Sequence, residues 1–201
     1  PEEMFKGLDN FVEIKLPKEV TQLEGSTFSG CSSLQTIELP ENLETFGSGS
    51  GNYPFSGCSS LISIVIPEKI EVIPFMCFYS CSSLKSVTLP QNLLGIEGDA
   101  FCQCSALSSI ELPNKLTSIG SSAFRRCESL ENITIPASVT TCGSGVFLYC
   151  SKLSSVTLEE GLTVLGGSMF YGCDALKQIE IPSSIKELPY RLFDESYALE
   201  K

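Results

Sequence analysis

The stretch from Leu107 to Cys127 reads LSSIELPNKLTSIGSSAFRRC, and its pattern recurs every 23 residues with one interruption. One column of the repeat holds nine of the twelve phenylalanines: Phe5, Phe28, Phe55, Phe78, Phe101, Phe124, Phe147, Phe170 and Phe193. Three residues further on, seven copies carry a cysteine: Cys31, Cys58, Cys81, Cys104, Cys127, Cys150 and Cys173. A period of this length predicts a solenoid, because one unit cannot bury its apolar face alone and must stack on its neighbours.

The segment LxxIxLP of each copy predicts a short β-strand. Its apolar residues alternate with polar ones, and proline, which has no N–H for a ladder, follows directly in seven of eight copies. Strands stacked about 4.8 Å apart would pair their backbones and form one continuous core. The same stacking would bring successive phenylalanine rings into aromatic contact, with centroids about 4.5–7 Å apart.

The repeat covers the whole chain, which indicates a single solenoid domain over residues 1–201 with about eight copies. Its one interruption is a four-residue insertion within residues 47–54, because Cys31 and Cys58 are 27 residues apart. The chain starts at Pro1 and shows no signal-peptide pattern, so we expect it to be a piece of a longer protein.

Composition and charge disfavour several classes of function. The 24 acidic and 13 basic residues give a net charge of −11, which disfavours binding to nucleic acid or to an anionic membrane surface. No apolar run approaches the roughly 18 residues of a membrane span, so we expect no membrane insertion by this segment. Histidine is absent, which removes the commonest general base and metal ligand. We therefore expect no cofactor and no metal site.

The cysteines allow two interpretations. Stacked copies would place successive cysteines of the column within disulfide range, but parallel Cβ vectors disfavour the dihedral angle of that bond. Buried free thiols are therefore favoured for the column. Three cysteines lie outside it: Cys77, Cys102 and Cys142. Cys142 replaces an isoleucine and is expected in the core, and the pairs Cys77/Cys81 and Cys102/Cys104 lack the histidine or second cysteine pair of a zinc site.

The outward-facing residues of the strands form the candidate ligand surface, because solenoids commonly bind through such a face. One of its columns holds Glu38, Val65, Thr88, Glu111, Thr134, Thr157 and Glu180. This surface is rich in hydroxyl groups and mildly acidic. It fits a broad contact surface for a protein ligand, and it fits equally a β-face that is simply exposed to solvent.

The insertion within residues 47–54 offers a second candidate, since insertions in solenoids form loops and some loops bind. Tyr53 is its aromatic residue, and we expect it to be exposed there. A surface extension without function explains the insertion as well, because longer loops cost little entropy.

The columns resemble leucine-rich repeats and, more narrowly, the BspA-type class, whose 23-residue units read LxxIxIPxxVtxIgxxaFxxCxxL. The resemblance covers Phe5 to Leu199, and the copy from Leu107 to Cys127 fits at every marked position. It implies a β-rich right-handed superhelix with a concave parallel sheet and with short strands, turns or 3-10 pieces on the convex side. The usual asparagine column is replaced here by Asn42, Lys69, Asn92, Lys115, Ser138 and Gly161, so that turn must satisfy its backbone differently.

The resemblance also implies a function. Proteins of this class are typically secreted or displayed on cell surfaces, and several are adhesins, so the expected partner is a protein such as a host extracellular-matrix or plasma protein. A structural spacer arm that displays other domains is the alternative. An enzyme would need paired carboxylates, such as Glu13 with Glu38 or Glu159 with Glu160, and the sequence gives them no pocket. We therefore expect no catalysis.

Overall fold

The computed structural model describes residues 4–47, 51 and 53–200. Within these residues the chain forms a parallel β-solenoid of short strands joined by turns, as the repeat predicts, and no helix occurs that could span a membrane. The strands are β1 (Glu13–Lys15), β2 (Thr36–Glu38), β3 (Ser63–Val65), β4 (Val72–Ile73), β5 (Ser86–Thr88), β6 (Gly95–Ile96), β7 (Ser118–Ile119), β8 (Asn132–Ile135), β9 (Thr141–Cys142) and β10 (Ser155–Leu158). Each copy of the repeat is one rung of this solenoid.

The strands lie on two faces. The first face consists of the LxxIxLP segments, and its ladders join β1 to β2, β3 to β5 and β8 to β10. Their registers match residues that occupy the same place in adjacent repeats, such as Ile133 with Val156. The second face is one sheet in the order β4-β6-β7-β9, and it lies further along each rung. Ile119 of this sheet pairs with Ile96 and Cys142.

The first face is less regular than the sequence predicts. Residues 108–112 and 177–181 carry the strand pattern but form no strand in the described chain. Ile110 is nevertheless buried, and the backbone of this segment stays linked to the next rung, since Glu131 N–H donates to the Ser108 carbonyl over 3.2 Å. The apolar alternation therefore predicts which side chains are buried, but it does not by itself predict a ladder between two rungs.

The phenylalanine column forms one continuous stack, as the period predicts. Successive rings from Phe5 to Phe193 have centroids 5.2–5.8 Å apart, and their planes differ by 3–10°. The rings from Phe28 to Phe170 are at most 1% exposed. Burial of each ring contributes about 1.5–3 kcal/mol by transfer from water.

The turn after each first-face strand closes on itself. The N–H of Leu116 donates to the Pro113 carbonyl over 2.9 Å, and the equivalent bond recurs in other rungs, for example from Ile70 to Pro67. This local i to i+3 bond is that of a β-turn. Residues of the column that replaces the usual asparagines add bonds to the preceding rung, from Asn42 Nδ2 to the Lys18 carbonyl over 3.4 Å and from Ser138 Oγ to the Leu116 carbonyl over 2.7 Å.

A second turn, from the phenylalanine to the cysteine of each rung, is here called the Phe–Cys turn. In all eight steps from Phe5 to Phe193, the phenylalanine N–H donates to a carbonyl of the next rung, for example from Phe101 to Ala123 over 2.8 Å. The residue two positions after the phenylalanine repeats this bond, as from Gln103 to Arg125 over 2.8 Å. Two hydrogen bonds per step thus fix the register on this side.

The residue that makes this second bond has a left-handed backbone in every rung. Glycine serves at Gly30 and Gly57, with φ of 75° and 76°, whereas Gln103 and Arg126 adopt φ of 65° and 59°. A non-glycine residue pays about 1–2 kcal/mol for that conformation. The bonds to the next rung hold it there despite this cost.

Candidate functional site

The seven predicted surface residues all lie on the first face and are all exposed. Glu38, Val65, Thr88, Thr134 and Thr157 are on strands, whereas Glu111 and Glu180 lie in the two segments that form no strand. The ladders bring Val65 beside Thr88 and Thr134 beside Thr157, and Glu38 pairs with Lys15. The residues therefore share one column, and in the described chain the first-face ladders join its members in pairs.

Tyr53 is not the exposed loop residue that the sequence predicts. It is half-buried, and its ring lies 6.0 Å from the ring of Phe75 at 60°. Phe75 belongs to the next rung, so the tyrosine packs along the solenoid instead of projecting from it. Ser48, Gly49, Ser50 and Asn52 of the same insertion lie outside the described residues.

A groove of about 720 Å³ lies on the first face where β2 meets β3. No ladder joins these two strands in the described sheets, and one backbone bond, from Ile62 N–H to the Gln35 carbonyl over 3.0 Å, links them at their start. The groove is lined by the carboxylates Glu13, Glu38, Glu41 and Glu68, by the apolar residues Ile37, Leu39, Ile64, Val65, Ile66 and Pro67, and by Thr36, Ser63 and Thr88. It therefore combines an apolar floor with an acidic rim.

The cysteine column forms hydrogen bonds that the sequence did not reveal. Each thiol donates to the phenylalanine carbonyl of the preceding rung, for example from Cys104 Sγ to Phe78 O over 3.1 Å. Ser196 occupies the same position in the last rung and donates to Phe170 O over 2.6 Å. This serine was the available signal, since it shows that the column needs a small donor as well as an apolar atom. Leu8 occupies this position in the first copy of the given sequence.

All ten cysteines are buried free thiols. Burial raises the pKa of Cys58 to about 12, that of Cys142 to about 12 and that of Cys102 to about 11. Because the thiolate is the reactive form, these groups are poor nucleophiles and poor metal ligands near neutral pH. Within the described residues, no three His, Cys, Asp or Glu side chains gather in a way that could hold a metal ion.

The carboxylates considered for catalysis bind neighbouring rungs. Glu159 Oε2 accepts a hydrogen bond from Ala137 N–H over 3.0 Å, and Glu160 accepts two from Ser183 over 3.2 and 3.3 Å. Glu97 does the same for Phe75 N–H over 2.7 Å. These glutamates thus satisfy exposed backbone at the turns.

The sequence pattern also did not predict a set of side-chain contacts along the Phe–Cys turn. Gln103 Nε2 donates to the Tyr79 hydroxyl over 3.2 Å, and the Arg126 guanidinium lies 5.5 Å from the centre of the Tyr149 ring. Tyr149 meets Tyr171 edge to face at 5.5 Å. These residues occupy neighbouring columns in successive rungs, so their contacts reinforce the stacking at its surface.

The comparisons with known proteins agree with this architecture. A family model described as a BspA type leucine-rich repeat region matches six copies, over residues 1–104 and 77–200. No curated protein sequence matches the chain.

Three solved structures show the same type of fold. A leucine-rich repeat protein of T. pallidum is 26% identical, with 82% of this chain and 78% of that chain covered and a TM-score of 0.57. A leucine-rich repeat protein of Eubacterium ventriosum is 24% identical, with 94% and 60% covered and a TM-score of 0.59. A leucine rich cell surface protein of Faecalibacterium prausnitzii is 22% identical, with 99% and 74% covered and a TM-score of 0.50.

The family model covers nearly the whole chain, and the columns that carry it are the ones that form the phenylalanine stack, the cysteine bonds and the first-face strands. Proteins with this repeat and fold are typically not enzymes. The chain belongs to the family of BspA-type leucine-rich repeat proteins.

Proposed function

We propose that this chain is a non-catalytic protein-binding module of a secreted or cell-surface protein, and that residues 1–201 act as one binding unit. The family suggests a protein-interaction or adhesion role. The observation that carries the proposal is the first face itself, where seven residues at the same repeat position are all exposed. Host extracellular-matrix and plasma proteins are the proposed class of partner, on the strength of the family resemblance.

The first face suits this role because its exposed side chains vary from rung to rung, whereas the Phe–Cys turn keeps the rungs in register. The buried residues of β2, β3, β5 and β8 alternate with exposed ones, so a change at Thr88 or Thr134 leaves the core untouched. The Phe–Cys turn keeps the rungs in register independently of that face. A repeat protein can in this way alter its contact surface without losing its fold.

Surface plasmon resonance against a panel of extracellular-matrix and plasma proteins tests the proposal. The test variant carries Thr88→Lys, Thr134→Lys and Thr157→Lys on the first face. Its matched control carries Thr117→Lys, Thr140→Lys and Thr163→Lys, three exposed threonines on or beside the second face.

The first-face variant should bind a panel protein about tenfold or more weakly than the parent chain, because three new ammonium groups disturb the charge match of the contact. The control should bind within about twofold. A flat response to every panel protein would contradict the adhesion role. Equal losses in the two variants would contradict the assignment to the first face.

A structural spacer remains the second candidate, and the hydrogen bonding favours it independently. Two backbone bonds at every step of the Phe–Cys turn and an unbroken ring stack make a stiff rod along the solenoid axis. If the chain acts only as a spacer, both lysine variants should leave the function of a larger protein unchanged. Insertion of one further copy of Leu107–Ser129, which lengthens the rod by one 23-residue rung, should alter that function instead.

A further inference from the structure

The groove between β2 and β3 differs from the rest of the first face. We propose that it binds an extended segment of the protein ligand in which lysine or arginine alternates with apolar residues. This inference rests on the proposed function and deepens it, because it names the place and the chemistry of the contact.

The groove exposes an apolar side chain, that of Val65. Val65 is 65% exposed, and it is the only apolar residue in a column that otherwise reads Lys15, Glu38, Thr88, Glu111, Thr134, Thr157 and Glu180. It lies between Ile64 and Ile66, whose side chains point into the core. An apolar side chain of a ligand can cover Val65 and so remove it from water, which is favourable in proportion to the area covered.

The lining of the groove is acidic. Four carboxylates line the groove, whereas none of its described lining residues is basic. The nearest compensation is Lys15, whose Nζ lies 2.7 Å from Glu38 Oε2, and both side chains of this pair are largely exposed. An exposed pair of this kind can exchange partners at little cost. The rim therefore favours a ligand that brings several positive charges.

A neighbouring depression shows what a self-neutralised acidic surface looks like in this protein. It measures about 530 Å³ and contains Glu44, Glu68 and Glu71 together with Lys69 and Lys115. There, Lys69 Nζ lies 2.8 Å from Glu44 Oε1, and Lys115 Nζ donates to Asn92 Oδ1 over 2.7 Å. Of the four carboxylates that line the β2–β3 groove, Glu38 has such a lysine partner in Lys15, and no lysine belongs to the described lining itself.

The shape of the ligand follows from how the charges are spread. The rim carboxylates come from three successive rungs, and no three of them are gathered closely enough to hold a metal ion in the described structure. Side chains on one side of an extended peptide lie about 6.6–6.8 Å apart, since they are two residues apart at about 3.3–3.4 Å each. Such a peptide can present several ammonium groups to separated carboxylates and turn its apolar side chains toward Val65.

Fluorescence anisotropy with three labelled octapeptides tests the inference on the whole chain. The probes are alternating lysine and valine, alternating glutamate and valine, and alternating lysine and serine. The lysine–valine peptide should bind best, since it alone offers both charge and apolar contact. Raising the salt concentration to about 1 M, where the Debye length is about 3 Å, should strongly weaken binding of the lysine–valine peptide.

Two matched pairs of variants locate the site. Glu13→Gln with Glu41→Gln should weaken binding of the lysine–valine peptide about fivefold to tenfold. Glu128→Gln with Glu187→Gln, two exposed residues outside the groove, should change it less than twofold. Val65→Thr should weaken it about threefold, and Val72→Thr on the second face should have no effect. All four sets replace exposed side chains, so the fold should persist in each.

The outcomes separate this inference from the proposed function. Equal binding of the glutamate–valine peptide, or equal losses in the groove and control variants, overturns the groove site, even if panel proteins still bind the first face. Selective binding of the lysine–valine peptide in the groove, together with no binding to any panel protein, supports the groove as a binding site and contradicts the proposed class of partner.

Discussion

The Phe–Cys turn and the first face come from the same 23-residue unit but join successive rungs in different ways. At the turn, all eight steps carry two backbone bonds, a ring contact and, in most rungs, a thiol bond. On the first face, ladders join only three pairs of strands among the described rungs. The turn therefore fixes the register, and the exposed side chains of the first face are free to vary in sequence.

The largest expected difference between the two regions is in their response to alkaline pH. All ten cysteines are buried, and burial raises their pKa above the ordinary value of 9.0. In the unfolded chain these thiols ionise near pH 9, whereas in the folded chain they stay neutral. A raised folded-state pKa gives stability that is complete below the unfolded pKa and is lost as the pH rises above it.

Each such thiol should therefore lower the free energy of unfolding by about 1.4 kcal/mol per pH unit above about pH 9. Urea denaturation at a series of pH values measures this. We expect a stability that changes little from about pH 7 to 8 and falls steeply between about pH 9 and 10. A flat profile through pH 10 would contradict the burial of the cysteine column.

The next largest effect compares one residue from each region. Phe124→Ala removes a ring from the middle of the stack and should lower the free energy of unfolding by about 3–5 kcal/mol. Thr134→Ala, on the first face, should lower it by less than about 0.5 kcal/mol. Urea denaturation of both variants at neutral pH provides the measurement. Losses of similar size would mean that the two regions do not differ in the way described.

A smaller effect should show how much the thiol hydrogen bonds contribute to stability. Cys104→Ala removes the hydrogen bond to Phe78 O, whereas Cys104→Ser keeps a donor, as Ser196 does in the last rung. We expect the serine variant to be about 1 kcal/mol more stable than the alanine variant. Comparison of their denaturation midpoints measures this. If the alanine variant is the more stable of the two, cysteine occupies this column for its packing and not for its hydrogen bond.

The sequence predicts the regular part of this molecule well. The spacing of Phe101, Phe124 and Phe147 is enough to predict the stack, because identical residues at a constant interval must coincide when rungs are identical. The alternation around Ile133 likewise predicts which side chains point inward. Both inferences depend only on the period, and the structure confirms both.

The features that depend on small departures from the period were not predictable. The groove at β2 and β3 lies between the two rungs that the insertion separates. The sequence alone does not show which turns take up the four extra residues. Tyr53 was expected to be exposed because a loop residue usually is, but its packing depends on where Phe75 of the next rung lies. The second-face sheet has strands of two residues, which are too short to display an alternation.

Amide hydrogen exchange tests the central claim most directly, namely that the Phe–Cys turn holds the solenoid together and the first face is left for contact. In the free protein, the turn amides of Phe101 and Gln103 should exchange about tenfold or more slowly than the first-face amides of Ser108 and Glu131, because only global unfolding opens them. A bound protein ligand should then slow exchange on the first face alone. Equal rates at the two regions in the free protein, or protection by the ligand at the turn instead of the first face, would contradict the claim.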